Sequence, residues 1–518
     1  MAVETFATID VGSYELAMKI FEVSKKGGIR ELDHIRQRVS LGSDSYAHNK
    51  ISNKNIEELC RTLREFSKVM KGYQVKNVKA YGTSAIREIA NTPIVLDQIR
   101  QRTGIRIGVL SNSEQRFLDY KAVALKMQNF EKLIEEGAAI LDIGGGSLQI
   151  SLFEEGRLEI TQNLKLGILR MSDELEAIGP RTSQIADLLS EMITDQIESF
   201  KSLYIKDKKI RNIIVVDDYV SQILRKRAFY QNGDVSESGI KQTVSEYAAF
   251  VYAIRYKTPE EIAGMLGIPE DRSPLLHIAA ALVQNVATAC SALEIYTPGV
   301  CLCDGIAYEY AQSGGKIPST HDFEADILSS VDTISRRYME DQKHNRVLET
   351  FSLQIFDAMK KIHGMSYRER LLLRIAVRLH NVGKYVSMEN QGESAYHIIL
   401  ATEVIGLSHE EREMVASIVK YNQIPFEYQK EYANMNQIPH ESELTVAKLT
   451  AILRCANSLD RSHRQKFEDI DVSLKDNQLQ ISVYTDNDII LEKSKLAANA
   501  DFFEEIYAIR PVLIQKQK

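Results

Sequence analysis

Two short turns, each headed by an aspartate after an apolar strand, carry residue types suited to binding phosphate. Asp10–Ser13 (Asp-Val-Gly-Ser) follows the apolar stretch Phe6–Ile9, and Asp142–Ser147 (Asp-Ile-Gly-Gly-Gly-Ser) follows Ala138–Leu141. Glycines let backbone N–H groups approach an anion because no Cβ stands in the way, and a serine hydroxyl adds a donor. An aspartate at the end of a strand can hold Mg²⁺, which then binds phosphate oxygens. The two turns therefore predict a phosphate and cation site.

The repetition of this unit is informative. A single glycine-rich turn is more often only a tight hairpin, but here both copies follow an apolar strand and precede another, Leu16–Val23 or Leu148–Glu154. Further strands are predicted over Arg30–Leu41 and Val78–Tyr81, with helical periods between them. Two such units at domain-sized spacing predict two similar α/β domains that face each other across a cleft.

Composition limits the functional classes. The chain has 518 residues, enough for three or four domains, and its net charge of −7 gives no basic footprint for nucleic acid. The five cysteines form no Cys-x-x-Cys pair, which is typical of a protein from a reducing cytosol. The N-terminus does not resemble a signal peptide, and no apolar run is long enough for a membrane span. We expect a cytoplasmic protein that binds neither nucleic acid nor membrane.

The second part of the chain differs from the first. A stretch rich in Gly, Ser and Pro, Ala311–Ser319, predicts a domain boundary, and helical periodicity continues beyond it to about Arg464. A short α/β tail follows, with strands over Asp469–Leu474 and Leu479–Tyr484 and a helix over Lys493–Ile506.

Five segments in order resemble a known family. The paired Asp-x-Gly turns resemble those of the actin-like ATPase fold. Gly82–Glu88 and Leu166–Arg170 are similar to the Gly-Thr-x-Ala-x-Arg and Leu-Gly-x-x-Arg segments of the exopolyphosphatase / guanosine-pentaphosphate phosphatase family. Arg378–Lys384 and Leu453–Arg464 resemble the HD-type domain of its long members. The resemblance covers nearly the whole chain.

The resemblance implies a fold and an activity. The fold is α/β, with two actin-like ATPase (ribonuclease H-like) domains over residues 1–125 and 126–312. An all-α HD-like domain over 320–465 and a small α/β tail over 466–518 follow. The activity is Mg²⁺- or Mn²⁺-dependent hydrolysis of terminal phosphoanhydrides of inorganic polyphosphate or guanosine pentaphosphate. Family members of this length are often homodimers, but the sequence does not fix the oligomeric state.

The resemblance also assigns roles to residues. Asp10 and Asp142 would hold the metal, and Arg87 would stabilise the transferring phosphoryl group with its permanently charged fork. The expected phosphate-binding residues are Gly12, Ser13, Thr83, Gly144, Gly145, Gly146 and Ser147.

The chain departs from the family at two catalytic positions. The family places its general base on a glutamate where this chain has Gln115, and a second glutamate where it has Gln149. A glutamine cannot take a proton near neutral pH. Glu114 is adjacent, and it can substitute only if the loop is rearranged. The candidate catalytic residues are Glu114, Gln115, Arg87 and Gln149. The alternative is a non-catalytic protein that senses polyphosphate or a guanosine tetra- or pentaphosphate.

Two further departures concern other sites. Asp217–Tyr219 stands where the fold usually has a Gly-Gly-Thr turn, which disfavours an adenine nucleotide there. In the HD-like segment His344, His380 and Asp460 match metal ligands, but Asn381 replaces an aspartate. We therefore expect a helical platform without a working metal site. Four basic residues of this region are candidates for lining a polyanion channel: Arg454, Arg461, Arg464 and Lys466.

Overall fold

The computed structural model describes residues 3–179, 182–216, 235–236, 239–270, 273–428 and 440–516. The chain divides into two compact units, Met1–Asp326 and Ile327–Lys518. Asp217–Tyr219 lies outside the described residues. Within them, no helix is long and apolar enough to cross a bilayer.

The first sheet of the first unit begins with a buried hairpin. The strands of this sheet are β1 Glu4–Val11, β2 Glu15–Ser24, β3 Gly28–Arg38, β4 Asn77–Gly82 and β5 Ile107–Val109. Their order in the sheet is β3-β2-β1-β4-β5, with β2 antiparallel and β4 parallel to β1.

The second sheet repeats this arrangement. Its strands are β6 Ala138–Ile143, β7 Leu148–Glu154, β8 Arg157–Leu164, β9 Asn212–Val216, β10 Val235–Ser236, β11 Gly239–Thr243 and β12 Glu294–Thr297. Their order in the sheet is β10-β11-β12-β9-β6-β7-β8, with β7 antiparallel and β9 parallel to β6. The predicted repeat of strand, turn and strand is therefore confirmed.

Helices cover both sheets and build separate apolar cores around them. The helices of this unit are α1 Leu41–His48, α2 Asn53–Gly72, α3 Ser84–Arg87, α4 Thr92–Thr103, α5 Asn112–Lys126, α6 Phe130–Glu135, α7 Ile168–Ile178, α8 Thr182–Phe200, α9 Val244–Ile254, α10 Pro259–Leu266, α11 Ser273–Ala289 and α12 Leu302–Ser313, with a π-helical turn at Lys201–Ile205.

Helix α12 follows the second sheet in the chain but packs on the first. Its Ile306 shares an apolar cluster with Phe6 of β1, and Asp304 forms an ion pair with buried Lys19 of β2 at 2.9 Å. A Cβ on Gly305 would lie 2.1 Å from the carbonyl oxygen of Leu118, so only glycine permits this approach to α5. The chain therefore returns to the first sheet before it leaves the first unit.

The second unit consists of helices and a small sheet. The predicted tail strands and helix are confirmed as β13 Ile470–Lys475, β14 Gln478–Tyr484 and α20 Ile490–Tyr507. The final strand, β15 Arg510–Lys516, pairs in parallel with β14. The helices are α13 Phe323–Arg337, α14 Gln342–Ala358, α15 Lys360–His363, α16 Tyr367–Arg378, α17 Gln391–Ala401, α18 His409–Gln423, α19 His440–Leu459 and α20 Ile490–Tyr507, with a 3₁₀ turn at Val382–Tyr385.

Two predicted boundaries differ from the structure. The strand predicted over Arg30–Leu41 ends at Arg38, and Leu41 begins α1. The N–H of Gly42 donates to the carbonyl of Ser13 at 2.7 Å. The first turn of α1 therefore contacts the Asp10–Ser13 turn, which ends the extended strand before Leu41. The stretch Ala311–Ser319 includes the end of α12, and the two compact units divide a little later, inside α13.

Candidate active site

The two Asp-x-Gly turns have the same backbone geometry. The N–H of Gly12 donates to the carbonyl of Glu15 at 3.2 Å, and the N–H of Gly144 donates to the carbonyl of Ser147 at 2.9 Å. Each bond closes a turn of the same length between antiparallel strands. In each turn, the N–H of the first glycine is therefore used to close the turn.

Both turns line one cleft. The cleft brings together most of the residues expected from the sequence: Asp10, Gly12, Ser13, Thr83, Arg87, Gln115, Asp142, Gly144, Gly145, Ser147 and Gln149. Two expected residues, Glu114 and Gly146, are not among those that line it.

The two loops touch each other at Gly145 and Ser13. A Cβ on Gly145 would lie 2.8 Å from the Cβ of Ser13, and one on Gly146 would lie 2.7 Å from the hydroxyl of Tyr46. That hydroxyl lies 2.6 Å from Ser13 Oγ and 2.8 Å from Ser84 Oγ. The glycines are therefore needed for the two loops to pack together as well as for access of a ligand.

The Leu166–Arg170 segment packs against and hydrogen-bonds to the glycine loop, Asp142–Ser147. A Cβ on Gly167 would lie 2.1 Å from the carbonyl carbon of Gly146, so this position also requires glycine. The backbone N–H of Ile168 donates to the carbonyl of Gly144 at 3.1 Å. Arg170 Nε donates to the carbonyl of Gly146 at 3.2 Å, and its guanidinium reaches Glu88 at 3.1 Å. This segment thus fixes the loop in place.

Arg87 is anchored at the start of α5. One terminal nitrogen donates to the carbonyl of Leu110 at 2.7 Å, and the other donates to Asn112 Oδ1. The guanidinium is close enough to Asp142 to lower the pKa of that carboxyl. Arg87 therefore presents a positioned positive charge to the cleft.

A cluster of acidic and amide side chains forms the floor of the cleft. Gln149 lies directly opposite Asp142 across the β6–β7 pair and accepts a hydrogen bond from Arg116 Nε at 3.1 Å. Gln115 Nε2 donates to Asp142 Oδ2 at 3.1 Å. Burial raises the pKa of Asp142 to about 6, against the lowering effects of Arg116 and of hydrogen bonds with Asp119 and Gln115.

Glu114 has a structural role at the start of α5. Ser111 Oγ accepts from the N–H of Glu114 at 3.1 Å, while the Glu114 carboxylate accepts from the N–H of Ser111 at 2.9 Å. This reciprocal pair is a capping box, which satisfies backbone donors at the start of a helix. Of the two neighbours, Gln115 faces the cleft and Glu114 caps the helix.

Asp119 is a cleft residue that the sequence interpretation did not identify. It follows Gln115 by four residues on α5, which places both side chains on one face of the helix. The four-residue spacing of Gln115 and Asp119 is visible in the sequence. However, the sequence alone did not show which face of α5 points into the cleft.

The oxygen atoms present suit a hard divalent cation. Asp10, Asp119 and Asp142 line the cleft, and Oε1 of Gln115 is buried without a hydrogen-bond partner. In the described part of the chain, no three His, Cys, Asp or Glu side chains are close enough to form a complete metal site. Mg²⁺ typically takes only one or two carboxylates and completes its shell with water and substrate phosphates, so the residues fit this ion.

The residues that the sequence predicted as HD-type metal ligands lie in the second unit and bond mainly to one another. His344 Nδ1 pairs with Asp460 Oδ2 at 2.8 Å, and Asn381 Nδ2 lies 2.7 Å from His380 Nε2. The ring of His463 stacks on that of His344 with centroids 3.7 Å apart. Burial lowers the pKa of His380 well below its usual value, and the nearby His344 lowers it further.

Two of the basic residues proposed for a channel are engaged within the second unit. Arg454 donates from Nε to the carbonyl of Tyr421 at 2.7 Å, and Lys466 forms an ion pair with buried Glu492 at 2.9 Å. The proposed channel lining therefore stays a prediction.

Comparison with known proteins agrees with the fold and the motifs. The model for the Ppx/GppA phosphatase family matches residues 20–313, and the model for Ppx/GppA phosphatase, domain III, matches residues 328–502. A guanosine-5'-triphosphate,3'-diphosphate pyrophosphatase of Photobacterium profundum is 20% identical, over 92% of this chain and 91% of its own. Exopolyphosphatase 1 of Mycobacterium leprae is 26% identical, over 63% of this chain and 93% of its own.

The comparison with solved structures covers about three fifths of the chain. The crystal structure of the Aquifex aeolicus Ppx/GppA family member covers 62% of this chain and 100% of its own, with a TM-score of 0.51 at 17% identity. This likeness supports the two actin-like α/β domains. Because the first family model alone matches more than half of the residues, the chain belongs to the Ppx/GppA phosphatase family.

Proposed function

We propose that this protein hydrolyses terminal phosphoanhydride bonds of inorganic polyphosphate or of guanosine pentaphosphate. The observation that carries the proposal is the convergence of both glycine turns, Arg87 and Asp142 on one cleft. Phosphoryl transfer depends mainly on positioning and on stabilising negative charge, and this cleft has groups for both. The names of the two relatives point to the same pair of substrates.

A divalent cation, Mg²⁺ or Mn²⁺, fits the oxygen donors of the cleft. When bound, it would neutralise charge on the phosphate oxygens and link them to the protein. The sequence predicts Asp10 and Asp142 as its ligands, and both line the cleft.

The remaining roles fall to this chain's own groups. The N–H groups after Gly12 and Gly144 would bind the terminal phosphates, and Arg87 would stabilise the transferring group with its fixed guanidinium. Gln115 would accept a hydrogen bond from the attacking water through Oε1, which has no other partner. A glutamine in this role orients water without removing its proton, so we expect a slow enzyme.

The sensor alternative has less support. Gln115 and Gln149 both lack the proton acceptor that the family resemblance implies, which favours a protein that binds without turnover. However, the relatives are named as a pyrophosphatase and an exopolyphosphatase, and the cleft retains buried carboxylates. We therefore favour the hydrolase.

Release of inorganic phosphate from polyphosphate and from guanosine pentaphosphate, with and without Mg²⁺, tests the proposal. Arg87→Ala should reduce the rate by about 10²–10³-fold, as for loss of one transition-state donor. Arg100→Ala, an exposed arginine on α4, is the control. If wild-type protein binds both compounds but releases phosphate from neither, the hydrolase proposal fails and the sensor takes its place. The homodimer and the cytoplasmic location remain predictions for light scattering and cell fractionation.

A further inference from the structure

A cavity outside the cleft lies among three helices of the first unit. Helices α8 and α9 both pack against α11, and small side chains on all three leave space between them: Ala186, Ala248 and Ala281. The cavity has a volume of about 330 Å³ and shares no lining residue with the cleft. This volume is at the lower end of the range for ligand pockets, about 300–1,000 Å³. The cavity therefore suits one small ring system.

The walls of the cavity are mostly apolar, and one aromatic ring lies at its opening. Leu189 is buried in the apolar core around the second sheet, and Val251 packs against the same core. Tyr252 also lines the cavity and is 71% exposed, so its ring lies where the cavity meets solvent. Such walls suit a planar aromatic molecule, which can contact apolar side chains and stack on a tyrosine.

Three residues that line the cavity each keep a buried polar atom without a hydrogen-bond partner among the described residues. The atoms are Nε2 of His277, Oε1 of Gln284 and Nε of Arg255. Buried polar atoms are almost always hydrogen-bonded in native proteins. Three exceptions around one cavity therefore indicate that a ligand supplies the missing partners.

The chemistry of these atoms specifies what the ligand must offer. Burial lowers the pKa of His277, against the opposite effect of a hydrogen bond with the backbone of Ile254. That bond uses Nδ1 as the donor, so Nε2 of the neutral ring is an acceptor. Oε1 of Gln284 is also an acceptor, whereas Nε of Arg255 is a donor. The ligand therefore needs polar hydrogens as well as an acceptor.

Charge limits the ligand further. Among the described residues that line the cavity, only Arg255 carries a permanent charge, and it pairs with Asp187 of α8 at 2.5 Å. The positive charge is therefore already offset within the protein. Because burying an uncompensated charge is costly, the cavity favours a neutral ligand over a phosphate.

We propose that this cavity binds a neutral nitrogen heterocycle of the size of a free purine base. Such a base combines a flat aromatic ring with N–H donors and with carbonyl or ring-nitrogen acceptors. It therefore matches both the apolar walls and the three polar atoms that lack partners. The site is separate from the phosphate cleft, so this inference goes beyond the proposed function and does not depend on it.

Titration calorimetry of the full-length protein with hypoxanthine and with caffeine tests the requirement for donors. Both molecules contain a purine ring system, but methyl groups replace every N–H hydrogen in caffeine. Hypoxanthine should bind, and caffeine should bind at least about tenfold more weakly, because His277 and Gln284 would receive no hydrogen bond from it.

Variants of α11 locate the site. Ala281→Leu fills the cavity and should abolish hypoxanthine binding, and Ala497→Leu, at an exposed alanine on α20, is its control. Gln284→Leu removes one acceptor at similar size and should weaken binding about tenfold. Gln101→Leu, at an exposed position on α4, is the matched control. If Ala281→Leu does not fold, as judged by circular dichroism, Gln284→Leu decides the location.

The outcomes separate this inference from the proposed function. Failure of wild-type protein to bind hypoxanthine, equal affinity for caffeine, or unchanged affinity in a folded cavity variant overturns it. Loss of hypoxanthine binding in Arg87→Ala overturns it as well, because the base would then lie in the cleft. If hypoxanthine binding depends on Ala281 and Gln284 but the protein releases no phosphate from polyphosphate or guanosine pentaphosphate, the base site stands and the proposed activity fails.

Discussion

The cleft of the first unit and the histidine cluster of the second both combine acidic residues with amides. In the cleft, Gln115 leaves a buried oxygen without a partner and Asp119 contacts Asp142 beside open space. In the cluster, Asp460 pairs with His344, and Asn381 bonds to His380. One nitrogen of His344 lacks a partner, yet that side chain is fully buried.

This difference separates a binding site from a structural network. Polar atoms that face a cavity can exchange a proton or water for a ligand, whereas atoms that satisfy one another stabilise the fold. Both regions contain acidic and amide side chains that could bind a ligand. The contacts of these side chains therefore decide which region can do chemistry. The following experiments challenge that distinction.

The largest effect, on polyphosphate binding, is expected for Gly145→Val. A branched side chain there would collide with Ser13 and with Leu169, which lie 2.8 Å and 2.9 Å from the position of a Cβ. We expect polyphosphate binding, measured by calorimetry, to be lost. Gly264→Val is the control, because a Cβ at that helical glycine meets nothing within 4 Å.

Unchanged affinity in folded Gly145→Val would mean that phosphate does not bind at the glycine loops. The cleft would then not be the phosphate-binding site.

Gln115→Glu should have the next largest effect, an increase in the rate of phosphate release. The substitution nearly keeps the shape of the side chain and adds a proton acceptor where the family resemblance places one. A general base typically contributes ~10²–10⁴-fold, and loss of the hydrogen bond from Gln115 to Asp142 argues for the lower end, about 10²-fold. Stopped-flow measurement of phosphate release checks this.

Gln101→Glu on α4 is the exposed control for Gln115→Glu. If Gln115→Glu leaves the rate unchanged while Glu114→Ala abolishes it, then Glu114 is the base despite its place in the capping box.

Asp460→Ala should have the smallest effect, and it should appear in stability. Burial opposes ionisation of Asp460, but hydrogen bonds from His344 and Gln465 outweigh it and lower its pKa. Removing a buried, hydrogen-bonded charge should cost about 2–3 kcal/mol. Hydrogen exchange of α14 in the full-length protein measures this loss, and Asp486→Ala, at an exposed aspartate, is the control.

The same variant tests the catalytic status of the cluster. Mn²⁺-dependent phosphodiesterase activity that disappears in Asp460→Ala would show a working metal site there. In that case the contrast between the two regions would be wrong.

The sequence by itself determined the two turns and their repetition. Each turn depends on local features, namely an apolar strand, an aspartate and glycines, and the bonds from Gly12 and Gly144 that close them span only three residues. Such short-range structure follows from backbone geometry, so a pattern in the sequence can predict it. The tail elements and the family were predicted for the same reason, since each rests on contiguous motifs.

Only the tertiary structure decided how distant groups meet. The sequence could not show that α12 returns to the first sheet, that Gly145 touches Ser13, or that Asp119 faces Asp142 while Glu114 caps its helix. These contacts depend on which face of a helix is buried and on how closely two backbones approach. Both are set by packing between residues far apart in the chain, and local sequence patterns do not contain that information.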